Sequence, residues 1–189
     1  MHLSLTFVLV MLAIMAQSTI AVTIRNYENA GCGGRFKACR NVRAQACCDS
    51  RPGRSYGASR FLGLPTTAIG SICTHNRGKN CGIVKKSGHG LGLCLSNPSS
   101  RGSYWFDCRS CRRDTALAGE VSDVQILSAS DVVEPDIIAF DEEHQFDIGP
   151  TTPQNVKEAL HQYYESNASY ADIPEELKAY EIDANMDEE

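Results

Sequence analysis

Cys108 and Cys111 form a CxxC pair, a spacing shared by redox motifs and by half of a zinc site. A redox pair is typically found at a helix N-terminus in a βαβ context, which the surrounding sequence does not indicate. A zinc site would need a second close pair, and the adjacent Cys47 and Cys48 are poorly spaced for ligation. We therefore expect structural disulfides, with no metal and no cofactor.

His75, His89 and Glu28 are the obvious acid–base residues of the basic half of the chain. A small ribonuclease would need two such groups to converge beside a cation that binds phosphate. Both histidines lie in turn-like contexts, THNRGKN and KSGHGLG, and no spacing brings them together. We predict a protein that is not an enzyme and has no catalytic residues. A secreted ribonuclease-like hydrolase is the alternative.

The charge of the chain changes sign at Arg112-Arg113. Residues 22–113 hold sixteen Lys and Arg against three acids, a net charge of +13, whereas residues 114–189 hold two Lys against twenty acids, a net charge of −18. Kexin-type convertases cut dibasic pairs at such boundaries, so we predict processing at Arg112 and Arg113. The alternative is that the pair only ends a basic domain.

The N-terminus carries an apolar run, LSLTFVLVMLAIMA, followed by the small residues that a signal peptidase accepts. The run is shorter than the roughly 20 residues that span a bilayer, which disfavours a membrane anchor. We predict a signal peptide at residues 1–21 and a secreted, extracellular protein without a transmembrane segment after signal removal.

Nine cysteines lie between positions 32 and 111, a density typical of disulfide frameworks in oxidising compartments. The sequence does not determine their pairing. One cysteine is left over as a free thiol, an intermolecular bridge or a local variation. The residues assigned to disulfides are Cys32, Cys39, Cys47, Cys48, Cys73, Cys81, Cys94, Cys108 and Cys111.

Residues 22–113 read as a basic, cysteine-rich β domain. Short β-prone runs such as residues 22–24 and 103–106 alternate with glycine-rich turns, without helical periodicity. The predicted fold class is all-β, a small disulfide-rich β-sandwich. Disulfides commonly supplement a core of this size.

Residues 114–189 form an acidic tail that we expect to be partly helical or disordered, with residues 114–147 mostly unstructured. Short helices are predicted near 153–165 and 174–181, each started by a proline at its first turn. Each is too short to be stable alone, so its apolar face must dock on something.

Closely spaced cations predict an anion-binding patch for an anionic cell surface, a cell-wall polymer or a host protein. Nucleic acid would also suit the charge, but the few aromatic residues do not indicate it. The acidic tail is the expected intramolecular partner. The patch comprises Arg35, Lys37, Arg40, Arg43, Arg51, Arg54 and Arg60. Asn167 begins an Asn-Ala-Ser glycosylation sequon.

The overall plan includes the segments RSYGASRFLGLPTTAIGSIC and GSYWFDCRSC within a basic core. It resembles the cysteine-rich small secreted proteins of filamentous fungi, many of which are candidate effectors. The stretch VTIRNYENAGCGGRFKAC is similar to the opening hairpin of a βγ-crystallin Greek key. With its cysteines it resembles the crystallin-like killer toxins, which implies a compact β-sandwich that acts without catalysis.

We expect a secreted, non-enzymatic effector or toxin-like protein whose basic domain binds an anionic surface or a host protein. The acidic tail would act as a mask or pro-segment. A cell-wall or matrix protein cross-linked through the ninth cysteine is a further alternative.

Overall fold

The computed structural model describes residues 22–49, 55–107 and 131–184. Several predictions fall outside these residues. They concern the signal peptide at 1–21, the processing pair Arg112 and Arg113, and the residues Cys108, Cys111, Arg51 and Arg54.

The described residues form twelve strands, two α-helices and one short 3-10 helix at Tyr170–Asp172. The strands are β1 (Val22–Tyr27), β2 (Phe36–Val42), β3 (Ala46–Asp49), β4 (Tyr56–Leu62), β5 (Ala68–Asn76), β6 (Lys79–Gly88), β7 (Cys94–Ser100), β8 (Gly102–Asp107), β9 (Asp131–Val133), β10 (Ile137–Ala139), β11 (Gln145–Asp147) and β12 (Glu181–Ile182). The helices are α1 (Gln154–Glu165) and α2 (Glu175–Lys178).

The strands form a seven-stranded sheet, ordered β12-β11-β10-β2-β1-β4-β7, and a five-stranded sheet, ordered β6-β5-β8-β3-β9. The first eight strands make two Greek-key motifs. In each motif the fourth strand returns beside the first, and the third strand crosses to the other sheet. The segment SYGASRFLG forms β4, which is the last strand of the first motif, and the second motif begins at β5.

The sandwich core lies between these two sheets. Ile24 of β1 and Phe61 of β4 face Ile72 of β5, and all three side chains are fully buried. Trp105 belongs to the same cluster, and its indole Nε1 donates a hydrogen bond to the Val42 carbonyl at 2.8 Å. Alternating side chains of each strand thus fill one apolar layer.

Residues 131–184, here called the acidic segment, continue both sheets. β9 pairs in parallel with β3, and β10 pairs antiparallel with β2. The sequence predicts a mostly unstructured segment here, but residues 131–147 form strands that are held in place because Ile137 and Ile138 are fully buried.

A second apolar cluster joins β10 and β11 to the helices. Val156, Leu160 and Tyr164, at helical spacing on α1, pack with Ile138 and Phe146. The helix follows Pro153, where the sequence predicts its first turn. The docking partner of α1 is therefore the extension of the seven-stranded sheet.

Among the described residues, three disulfides link Cys32 to Cys94, Cys39 to Cys48, and Cys47 to Cys81. Cys73 is buried and forms no disulfide. The Cys47–Cys81 bridge lies over Gly102, where a Cβ atom would be 2.5 Å from the Cys81 sulfur. A side chain at this position would collide with the bridge, so glycine is required.

The prediction of an all-β, disulfide-rich sandwich followed by a partly helical acidic part is confirmed. Within the described ranges, no helix is long and apolar enough to cross a membrane.

Candidate anion-binding surface

The predicted patch residue Arg35 is held by the end of α1. Its guanidinium donates hydrogen bonds to the Tyr164 carbonyl and, at 3.2 Å, to Asn167 Oδ1. The same group lies 4.4 Å from the centre of the Tyr164 ring, a cation–π contact. Its Nε atom is also 3.8 Å from Glu28 Oε2.

Lys37 is the most buried member of the patch that is described. Its Nζ atom is 3.1 Å from Glu165 Oε1, and its side chain is only 7% exposed. It also lies 4.7 Å from the centre of the Tyr164 ring. A buried ammonium needs such partners because its desolvation is costly.

Arg40 binds two carboxylates of the acidic segment. Its backbone N–H and Nε donate to Asp136 at 3.0 and 2.9 Å, and Nη2 donates to Asp147 at 2.6 Å. Burial alone would lower the pKa of Arg40, but these hydrogen bonds and charges raise it above its usual value. Two charge-assisted partners make this a strong polar link to the acidic segment.

The other two described patch residues are Arg43, whose ion pair is exposed, and Arg60, which lies on another strand. Arg43 is 3.2 Å from Asp131, but both side chains are more than half exposed, so the pair contributes little stability. Arg60 lies opposite Arg25 on the β1–β4 ladder, where Glu142 is 3.6 Å from Arg25.

The acidic segment therefore engages four cations of the predicted patch, which we call the covered patch. They are Arg35, Lys37, Arg40 and Arg43. Lys37 and Arg40 are three residues apart on β2 and so point to opposite faces of the sheet. The patch is thus engaged from two sides.

A second basic region lies on the β5–β6 hairpin and is here called the hairpin surface. Its cations are exposed, and they form no ion pair within the part of the chain that the structure describes. They are Arg77, Lys79, Lys85 and Lys86. The sequence reasoning missed this region, although residues 50–106 contain no Asp or Glu at all.

The hairpin surface is rigidly attached to the sandwich. Arg77 and Gly78 both have positive φ and form a tight two-residue turn. Beyond it, the Cys47–Cys81 bridge and the Asn80 amide, 2.6 Å from the Asp49 carboxylate, tie β6 to β3. The cations are thus presented on a preorganised support.

The candidate acid–base residues lie apart. Gly70 pairs with Gly88, which places His89 opposite Ile69, so His75 and His89 are separated by about six residues of strand, roughly 20 Å. Glu28 follows β1 in the other sheet. Among the described residues, no group of three His, Cys, Asp or Glu side chains is placed to hold a metal ion.

Asn167 of the predicted sequon is exposed just beyond the end of α1. Its backbone has a positive φ of 59°, a conformation that asparagine tolerates well. The site is accessible, and glycosylation there stays a prediction.

One family model matches the chain. It describes an N-terminal domain, ARB_05566_N, and it matches residues 23–136, more than half of the chain. The match takes in both Greek-key motifs and β9, and it runs past Arg113. No curated protein and no solved structure matches the chain.

Proposed function

The chain belongs to the ARB_05566_N family, and we propose that it is a secreted, non-enzymatic binding protein of the effector or toxin-like type. Its basic β-sandwich binds an anionic surface or a host protein through the hairpin surface. The acidic segment acts as a built-in cover of the covered patch. The three disulfides support secretion, since such bridges persist in oxidising compartments.

The observation that carries this proposal is the division of cations into two sets. Those of the covered patch meet carboxylates or carbonyls of the acidic segment, whereas Arg77, Lys79, Lys85 and Lys86 point to solvent. A uniformly basic domain that merely needed solubility would not require this division. Exposed cations that form no ion pair with the described residues raise the local potential and attract anionic partners.

The packing of the acidic segment favours a permanent cover over a removable pro-segment. β10 is hydrogen-bonded to β2, and Ile137, Ile138 and Phe146 are fully buried. Removing this segment would expose these side chains to water, at a cost of about 1.5–3 kcal/mol each. The covered patch is therefore held closed by the core as well as by charge.

The test compares retention of the full-length protein on a sulfated polysaccharide column at low salt. The double variant Lys85→Glu/Lys86→Glu should elute at clearly lower salt than the wild type, because it reverses two exposed charges. Lys157→Glu on α1 reverses a single charge outside the hairpin surface and serves as the control.

We expect Lys157→Glu to behave like the wild type. A loss of retention in proportion to the reversed charge, half as large in Lys157→Glu as in the double variant, would mean that only net charge matters. No retention of the wild type, on the column or on vesicles with anionic lipid, would reject the proposed function.

A further inference from the structure

The two Greek-key motifs are equivalent strand by strand, which makes their edges comparable. β1 corresponds to β5, and β2 corresponds to β6, each the hairpin partner of the motif's first strand. β4 and β8 then correspond as fourth strands, and β3 and β7 as the strands that cross. β2 and β6 are thus the same edge of two related units.

In the first motif this edge is occupied. β10 adds to β2 in antiparallel register, with Ile138 opposite Lys37, and the Asp136 amide donates to the Ala38 carbonyl at 2.9 Å. The added strand is flanked by acids, of which Asp136 binds Arg40. An acidic, extended segment on a basic edge is therefore a pairing this fold already uses.

In the second motif no described residues pair with the equivalent edge. No described strand pairs with the outer side of β6, which has ten residues, the largest number of any strand described. The edge carries Lys79, Lys85 and Lys86, with Ile83 37% exposed between them. An unpaired edge of this length offers backbone donors and acceptors to another chain.

We propose that the outer edge of β6 binds an extended, acidic segment of a partner protein by strand addition. This inference rests on the proposed function and names its partner class. The backbone of β6 would supply the hydrogen bonds, its lysines would pair with the partner's carboxylates, and Ile83 would contact an apolar side chain.

The charge of this edge selects among occupants. A second copy of β6 would bring two lysine-bearing edges together, and like charges are unfavourable between neighbouring strands. An anionic membrane or polymer would use the lysines but not the unpaired backbone groups. An acidic strand uses both, as β10 does on β2.

The test measures fluorescence polarisation of a labelled synthetic peptide with the sequence of residues 134–141, EPDIIAFD, mixed with the full-length protein. We expect saturable binding that falls about tenfold in Lys85→Glu/Lys86→Glu and is unchanged in Lys157→Glu. Two further peptides carry N-methyl groups on alternate residues, because alternate amides face opposite sides of a strand. At least one of them should fail to bind.

Amide hydrogen exchange locates the peptide. We expect the amides of β6 to become protected, whereas protection confined to β2 would mean that the peptide only replaces β10. That outcome, or equal binding of all N-methylated peptides, would overturn strand addition.

The two proposals fail in different ways. Lysine-dependent binding to a sulfated polymer or anionic vesicles without peptide binding would overturn strand addition and leave the proposed function standing. No binding to any of these probes would overturn both.

Discussion

The substitution Ile138→Ala tests whether the acidic segment and the β-sandwich fold as one cooperative unit. Ile138 is fully buried in β10, between the strand and the helix α1, and belongs to a cluster with Phe146 and Leu160. The sandwich core around Ile72 is a separate cluster. The substitution therefore removes core volume only from the acidic segment.

The size of the effect follows from the burial of Ile138. Shortening a fully buried isoleucine to alanine costs about 3 kcal/mol, within a usual span of about 2–5 kcal/mol. For a urea slope of about 2 kcal/mol per molar, the unfolding midpoint should fall by about 1.5 M. This is a large fraction of the stability of an ordinary domain.

Trp105 makes the assay selective. It is the sole tryptophan of the chain and lies in the sandwich, 4% exposed, so its fluorescence reports on the sandwich and not on the acidic segment. If the two parts fold as one unit, the tryptophan transition should shift by the full amount. Val132→Ala, at a position 66% exposed in β9, is the control and should change the free energy of unfolding by no more than about 0.5 kcal/mol.

An unchanged tryptophan transition would refute this reasoning, particularly if the helical circular dichroism signal were lost at lower urea. The acidic segment would then unfold independently of the sandwich. Its buried isoleucines would have to be regarded as a local cluster, and a removable pro-segment would again be the better description.

Two further predictions concern the cysteine cluster. Burial raises the pKa of Cys73 to about 12, so at pH 8 we expect this thiol to react with Ellman's reagent only when the chain unfolds. The Cys73→Ala variant should lack the absorbance that this thiol adds on unfolding. Because this pKa lies above the usual value of 9.0, the stability that the un-ionised Cys73 thiol contributes is present below pH 9 and is lost as the pH rises towards 12. Fast labelling of the native thiol at pH 8 would contradict the raised pKa. Gly102→Ala should lower stability by about 1–3 kcal/mol in urea unfolding, because its Cβ would meet the Cys47–Cys81 bridge, whereas Gly31→Ala has open space and should change little. Equal midpoints for the two alanine variants would show that the bridge can shift freely.

Local patterns predict the fold class and the position of α1. The glycine-rich turns and β-prone runs indicate strands because they act over a few residues, and the spacing of Val156, Leu160 and Tyr164 follows the helical period. The strands β9, β10 and β11 have three residues each, too few to show a period, and they lie among acids. These strands form because β9 pairs with β3 and β10 pairs with β2, and both partners are distant in sequence.

In the candidate site, too, local sequence predicts some features, whereas others depend on contacts between residues that are distant in sequence. Counting charges along the chain predicts that acidic and basic halves attract, but not that Arg40 meets both Asp136 and Asp147. The openness of Lys85 and Lys86 depends on which strand is left at a sheet edge. That is a property of topology, and no short stretch of sequence contains it.

The adjacent residues Cys47 and Cys48 have a consequence for how this chain can be oxidised. They point to opposite faces of β3, so one bridges to Cys39 within the sandwich and the other to Cys81 on the outer side. Exchanging the two partners would require β3 to slip by one residue and turn every side chain over. Oxidative refolding therefore needs a redox buffer in which bridges can exchange, because a swapped pair would hold the strand out of register by covalent bonds.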